Sequence, residues 1–254
     1  MSVRKWALLI LLPCLVGFDG PQARETLDLA FRNLYGSDLL VALELTIEGG
    51  RRAEIRSFAF GRKRRGGETR TLLFSLGGGR RAPRALLLQK PGQGDVIFVS
   101  EGTQGRVRAM SSGGHAWQLF GSDFSYEDFR SHSAHEYRIE VLGEERVDGE
   151  ACRVLRLLPL DGPYSEILAW ISTKRPVFMR MDYFDEQGLW KRYQARRKKL
   201  EQRFDSWIAM EDQMLDLRTG RRTVRRVRNL LVDAQVPDEV FTLTQLTRRR
   251  MPNF

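Results

Sequence analysis

The chain has two cysteines, three histidines, fewer acids than bases, and no apolar run long enough to cross a bilayer. Each shortage excludes something. A spanning helix takes about 20 consecutive apolar residues, and the N-terminal run from Trp6 to Leu12, extended by Cys14 to Phe18, falls short. Cys14 lies in that run, so its removal leaves Cys152 alone, and one thiol makes no internal disulfide. Cys152 shares a strand pattern with Val154 and reads as a small buried hydrophobe rather than a nucleophile. With only His115, His132 and His135, there is little to shuttle protons near neutrality. His132 and His135, with Glu136 adjacent, have no further His or Cys nearby, so a solvated loop is expected there rather than a metal site.

Enzyme motifs are missing too. There is no G-x-S-x-G elbow, and Gly121-Ser122-Asp123 does not substitute for one. Gly77-Gly78-Gly79-Arg80 lacks the lysine and hydroxyl that close a phosphate loop and reads as a turn. Asp182 and Asp185 are explained by a strand end and a turn. No catalytic residue, metal or cofactor is expected.

What the N-terminus does have is a secretory signal: Arg4 and Lys5, then the short apolar run. Ala23 is the expected last signal residue, giving residues 1–23 as signal and 24–254 as one mature domain. A lipoprotein reading of Leu11-Leu12-Pro13-Cys14 is disfavoured, because proline stands where a small residue should precede the cysteine. The mature chain is therefore expected in the periplasm. The formal charge of +10 falls to +9 with the signal removed, because Arg4, Lys5 and Asp19 together contribute +1. Nucleic acid is the first partner such charge suggests, and export argues against it. An anionic membrane surface attracts the same charge, and so does plain solubility.

Beyond the signal, Leu27, Phe31 and Leu34 share one face of a helix expected over Glu25 to Tyr35, with Gly36 as its cap. The period then changes to two. Val41, Leu43, Leu45 and Ile47 alternate with smaller or polar residues, and Gly49-Gly50 turns the chain into Ala53 to Phe60. Arg62 to Gly67 reads as a charged loop. Strands follow at Thr69 to Leu76, Ala85 to Gln89 and Asp95 to Ser100. A second series starts at Tyr137, turns at Asp148-Gly149, and continues through Ile167 to Ser172, Val177 to Phe184 and Leu189 to Ala195. A final hairpin of Trp207 to Leu217 and Thr223 to Val232 closes it. Such short connections make an antiparallel meander. Nothing divides the chain into two domains. On the Val177 strand, alternation sets Val177, Met179, Met181 and Tyr183 on one face and Phe178, Arg180, Asp182 and Phe184 on the other.

The segment from Trp117 to Phe129, WQLFGSDFSYEDF, interrupts the strands. It carries Trp117, Phe120, Phe124, Tyr126 and Phe129, far more apolar surface than a loop needs. Ser125, followed by Glu127 and Asp128, has the form of a helix start, with acids at the positive end of the dipole. A short apolar helix is expected there, plugging a core or covering a cavity.

Four blocks stand in order: GSDF…EDF, YRIEVLGEERVDGEACRVL from Tyr137 to Leu155, RPVFMRMDYFDEQGLWKRY from Arg175 to Tyr193, and VPDEVFTLTQL from Val236 to Leu246. Together they resemble the LolA-like family of outer-membrane lipoprotein-sorting proteins, from about Leu27 to Leu246. The closing Pro237, Asp238, Phe241 and Leu243 belong to that pattern. The resemblance implies an α+β fold: a strongly bent antiparallel sheet, an unclosed β-barrel, with helices over its concave face holding lipid or acyl chains. It implies no catalysis. With it, the expected cavity and lid residues are Trp117, Phe120, Phe124, Phe129, Phe178, Met179, Met181 and Phe184. The expected function is a carrier or sorting protein for lipid or an acylated protein. An inner-membrane transporter and an anionic surface are its expected partners. The competing reading is a lipid-responsive sensor, or an accessory subunit of a membrane transporter, on the same fold.

Overall fold

The computed structural model describes residues 17–18, 20–35, 38–77, 82–90, 92–100, 106–110, 112–203 and 206–247. The expected signal up to residue 16 with Cys14, the cap at Gly36, the turn residues Gly78 to Arg81 and the cluster Arg248 to Arg250 lie outside the described residues.

After β1 (Gly17–Phe18), helix α1 (Pro21–Tyr35) starts four residues before its expected Glu25. Proline suits the first helical position, where its missing N–H is one of the orphans anyway. Ala23 sits buried in that first turn, and Leu27, Ala30 and Phe31 carry the buried stripe onward. Two meanders follow. The first is β2 (Leu39–Glu48), β3 (Glu54–Arg65), β4 (Glu68–Ser75), β5 (Arg84–Gln89), β6 (Val96–Ser100) and β7 (Val107–Met110). The second is β8 (Tyr137–Val147), β9 (Glu150–Pro159), β10 (Glu166–Ser172), β11 (Phe178–Asp185) and β12 (Gly188–Ala195). It pauses for a separate ribbon, β13 (Leu200–Arg203) with β14 (Ser206–Ala209), and ends in β15 (Glu211–Asp216) and β16 (Arg222–Val232). A five-residue helix, α2 (Leu243–Thr247), comes last.

All pairings are antiparallel, and β16 returns to pair with β2 from Arg222↔Glu48 to Val232↔Leu39. The two meanders thereby join into a 14-stranded sheet ordered β1-β8-β9-β10-β11-β12-β15-β16-β2-β3-β4-β5-β6-β7. Its two ends, β1 and β7, do not pair among the described residues, so the sheet is unclosed. One consequence governs the rest. The chain from β7 to β8 has to travel from one edge of the sheet to the other, and the aromatic segment lies on that route. It forms a strap across the sheet.

The face beneath the strap is the main core. It gathers Leu43 and Leu45 of β2, Phe58 and Phe60 of β3, Ile167 and Ala169 of β10, and Leu27 and Phe31 of α1 around Leu119, Phe124 and Phe129. On the opposite face, the tail residues Val236, Val240, Phe241 and Leu246 pack on Ala59, Leu72, Phe74 and Leu86. Phe58 to Arg62 are therefore buried on both sides of β3. The expected charged loop at Arg62 to Gly67 is corrected: β3 runs on to Arg65, and only Gly66 and Gly67, both at positive φ, make the turn. Asp148 and Gly149 do turn β8 into β9 with φ of 49° and 75°, the conformation a two-residue hairpin demands. The single strand expected over Trp207 to Leu217 is two, β14 and β15, belonging to different sheets.

The alternation expected along Val177 to Phe184 also breaks. Ile171 of β10 pairs with Phe178 while Trp170 pairs with Arg180, leaving Met179 as the extra residue of a bulge. Phe178, Met181 and Tyr183 consequently share the main core. Val177 and Met179 face the other way, into a third cluster with Cys152, Val154 and Trp170. Burial there pushes the Cys152 thiol up to about 11, so it is not a ready nucleophile.

Candidate functional site

The strap begins with a tight reversal. Leu119 N–H donates to Phe124 O at 2.7 Å, and Gln118 bridges Ser125. Phe120 (φ 50°) and Gly121 (φ 76°) both take left-handed backbone to close it, a conformation that costs a bulky residue roughly 1–2 kcal/mol. The expected Ser125 helix is a single 3-10 turn, Glu127–Phe129, and its capping is inverted. Asp128 Oδ2 accepts from both the N–H (2.7 Å) and Oγ (2.9 Å) of Ser125. Towards the turn the serine donates instead of accepting, and its Oγ accepts from Lys191 Nζ at 3.2 Å.

Polar anchors hold this greasy segment on the sheet. Thr223 Oγ1 of β16 donates to Asp123 Oδ2 at 2.6 Å, and Arg221 Nε donates to Asp123 Oδ1 at 2.6 Å. Lys191 Nζ of β12 reaches Asp128 Oδ2 at 2.7 Å, with the rings of Tyr164, Tyr183 and Trp190 around the ammonium. Arg62 of β3, wholly buried, donates to Phe129 O at 2.6 Å and to Thr71 Oγ1 at 3.0 Å. Arg225 of β16 stacks over the rings of Phe124 and Phe129 while pairing with Asp212 at 2.6 and 2.9 Å. Burial pushes the Asp212 carboxyl up, against the pull of Arg225. In GSDFSYEDF the aspartates are thus the anchors and the phenylalanines the filling.

Beside the strap, α1, β14 and the core face of β2 and β16 enclose an apolar cavity of about 90 Å³. Ala30, Leu43, Phe60, Phe178, Val227 and Ala209 line it, with Arg225 at one wall. Asn33 fastens α1 to β14 and to the loop before β11. Its Nδ2 donates to Pro176 O at 2.7 Å, and its Oδ1 accepts the Trp207 N–H at 2.9 Å.

A polar cleft of about 1530 Å³ lies past the end of α1, lined by Arg32, Arg64, Lys90, Arg130 and all three histidines. At its wall Glu127 is buried. Burial opposes its charge, but hydrogen bonding to His115 and the charges of His132 and Arg130 hold the carboxyl down at about 2. Arg130 also pairs with Asp95 and Glu136, and His132 Nδ1 lies 3.0 Å from Tyr137 Oη. His135 is exposed and apart from this network.

The eight residues expected to form the cavity and lid fall in different places. Phe178 lines the apolar cavity, and Met181 lines a neighbouring void of about 30 Å³. Phe120, Phe124 and Phe129 are buried in the core beneath the strap. Trp117 is 53% exposed, with the Arg108 guanidinium 5.6 Å from its ring. Phe184 is half-buried near the end of β11, and Met179 lies on the opposite face because of the bulge. Sequence reasoning missed Asn33, Val227, Lys191 and the β13–β14 ribbon; Lys191 lies in the Arg175 to Tyr193 block, but nothing in the block singles it out.

A protein-family model described as an uncharacterized protein matches residues 69–248. No curated protein matches the sequence. Among solved structures, a DUF1329 family protein from Desulfovibrio piger ATCC 29098 superposes with a TM-score of 0.80 at 24% identity, covering 89% of this chain and 98% of that one. A domain described as an outer membrane lipoprotein-sorting protein from Vibrio parahaemolyticus gives 0.78 at 21% identity, with 89% and 96% covered. A LolA superfamily protein from Nitrosomonas europaea gives 0.69 at 17%, with 87% and 97% covered. At such identities these three share the fold. The chain belongs to the family matched over residues 69–248, and its fold is LolA-like.

Proposed function

We propose that the protein is a periplasmic carrier that shields the acyl chains of a lipid, or of a lipidated protein, against the core face of its half-barrel. In this reading the sheet is strongly bent, and α1, the strap and the β13–β14 ribbon cover its concave side. The observation that carries it is the apolar cavity between α1 and the β14 strand, lined on its sheet side by Leu43, Phe60, Phe178 and Val227. At about 90 Å³ it is smaller than the roughly 150 Å³ that takes up one benzene ring. An acyl chain therefore enters only if a covering element moves, and the ribbon, outside the main sheet, is the element with least to break. Each methylene buried contributes about 0.8 kcal/mol, so a dozen suffice for useful affinity before ordering costs.

Export by the N-terminal signal would deliver the carrier to the periplasm. An inner-membrane transporter is the donor this reading expects, and the basic surface suits contact with anionic headgroups during transfer. No helix of the described residues is long and apolar enough to cross a membrane. The test is native mass spectrometry of protein purified from its own envelope. A retained lipid or acylated polypeptide supports the proposal. A bare polypeptide mass, together with no uptake of a fluorescent fatty acid by the purified protein, rejects it.

A further inference from the structure

Arg32, in the last turn of α1, lines both the apolar cavity and the polar cleft. Its side chain belongs to the walls of both. Arg64, near the end of β3, lines the cleft beside it. Arg64 Nη2 donates to Ser131 Oγ and its backbone N–H to Asp38 Oδ1, but its Nε is buried without a hydrogen-bond partner. Burial, and next the neighbouring charge of Arg32, lower the Arg64 pKa, with Asp38 opposing them. Two guanidinium side chains thus line one cleft, and one of them carries a buried donor without a partner.

The carboxylates of the cleft are engaged elsewhere. Glu68 pairs with Arg70 and Lys90. Asp95, Glu127 and Glu136 all converge on Arg130. Asp28 Oδ1 accepts the Ala134 N–H, and Asp161 accepts the Gly162 N–H on the exposed rim. None of them bridges Arg32 to Arg64. Paired guanidinium groups with open donors match a planar or tetrahedral oxyanion, which satisfies both charges at once.

We propose that Arg32 and Arg64, where the apolar cavity and the polar cleft share a wall, form an anion site for the phosphate or carboxylate head of an amphiphile whose chain enters the cavity. The chain half of this assignment rests on the carrier reading; the anion half does not. An amphiphile placed so has its tail against Val227 and Phe178 and its head in the wet cleft. The division between the two compartments then selects for anionic lipids over neutral ones.

Calorimetric titration of the purified protein tests this with three probes at fixed ionic strength: lysophosphatidate, a monoacylglycerol of the same chain length, and inorganic phosphate. The two amphiphiles are kept below their micelle concentrations. Lysophosphatidate should bind about tenfold or more tightly than the monoacylglycerol, as charge-assisted hydrogen bonds to a guanidinium warrant. Arg32→Gln, an exposed substitution, should erase that preference by weakening lysophosphatidate far more than the monoacylglycerol. Arg64→Gln should act in the same direction. Equal affinities for the two amphiphiles in the unaltered protein overturn the head site and leave the carrier reading standing. Phosphate binding that is lost in Arg32→Gln, with neither amphiphile bound, supports the anion site as one for free phosphate and sinks the carrier reading. No binding of any probe overturns both.

Discussion

Lys191 on β12 and Asp128 in the strap form a 2.7 Å ion pair with both side chains buried, and the ammonium stands 5.1 to 5.3 Å from three aromatic ring centroids. The pair fixes the strap to the middle of the second meander. Breaking a buried pair by removing one partner is expensive, because the other charge is left without compensation. Lys191→Met should therefore destabilise the protein by about 3–5 kcal/mol in urea titration. Adding Asp128→Asn to it should recover a substantial part, since the amide oxygen can still accept from Ser125. If the single and double variants unfold together, the two side chains are not coupled.

Acid should loosen the strap at a second point. Glu127 is held at about 2 in the folded protein, against an ordinary value of 4.5. A carboxyl depressed on folding contributes stability that is complete above its unfolded value and is lost as pH falls through the folded one. The window is thus from pH 4.5 down to about 2. The contribution is roughly 3 kcal/mol from the size of the shift. Other carboxylates titrate in the same range, so the informative quantity is a difference. Glu127→Gln should flatten the fall of unfolding free energy between those limits by that amount, as read from denaturant titrations at a series of pH values. Parallel curves would remove Glu127 from the acid response.

Asn33 ties α1 both to the loop before β11 and to β14. Leaving its two half-buried partners unsatisfied costs up to about 1–3 kcal/mol each. Asn33→Ala should lower stability within that range and raise amide exchange in residues 206–209 more than in β2 or β16. The carrier proposal adds that fatty-acid uptake should become faster, because the ribbon is released first. Uniformly raised exchange across the sheet would show that Asn33 supports the whole fold rather than the cover.

The meanders were legible because alternation and turn chemistry are local. Val41 to Ile47 wrote its buried face into the sequence, and Asp148-Gly149 wrote its hairpin. The failures each have a distant cause. Arg62 looked like loop because a charged residue seldom lies in a core, and its compensation comes from Thr71 and the Phe129 carbonyl, which no local pattern announces. The bulge at Met179 inverted the faces of half a strand, since one extra residue moves every side chain before it to the other side. The aromatic segment announced its burial but not its route, which follows from β8 lying at the far end of the sheet from β7. Lys191 and Asn33 act through partners 63 and more than 140 positions away, and no spacing predicts such pairs.

The placement of the aromatics also decides which substitution tests lipid loading. Phe124 and Phe129 are almost wholly inaccessible and pack against each other at 6.2 Å between ring centroids. An aspartate at either site would bury a new charge beside Arg225, whose guanidinium Asp212 already engages, so loss of binding there would report unfolding. Val227 is half-buried and faces the cavity from β16. Val227→Phe fills the space with apolar volume, at an overpacking cost of about 1–3 kcal/mol. The expected outcome is a melting temperature lowered by no more than about 10 °C, within what such a cost implies, and a fatty-acid affinity weakened about tenfold or more. Val227→Ala enlarges the same space and should leave uptake intact or improve it. Opposite effects of the larger and smaller side chain on affinity, with stability lowered in both, separate occupation of this cavity from damage to the fold. Unchanged affinity in a folded Val227→Phe variant would exclude this cavity as the place where the chain binds.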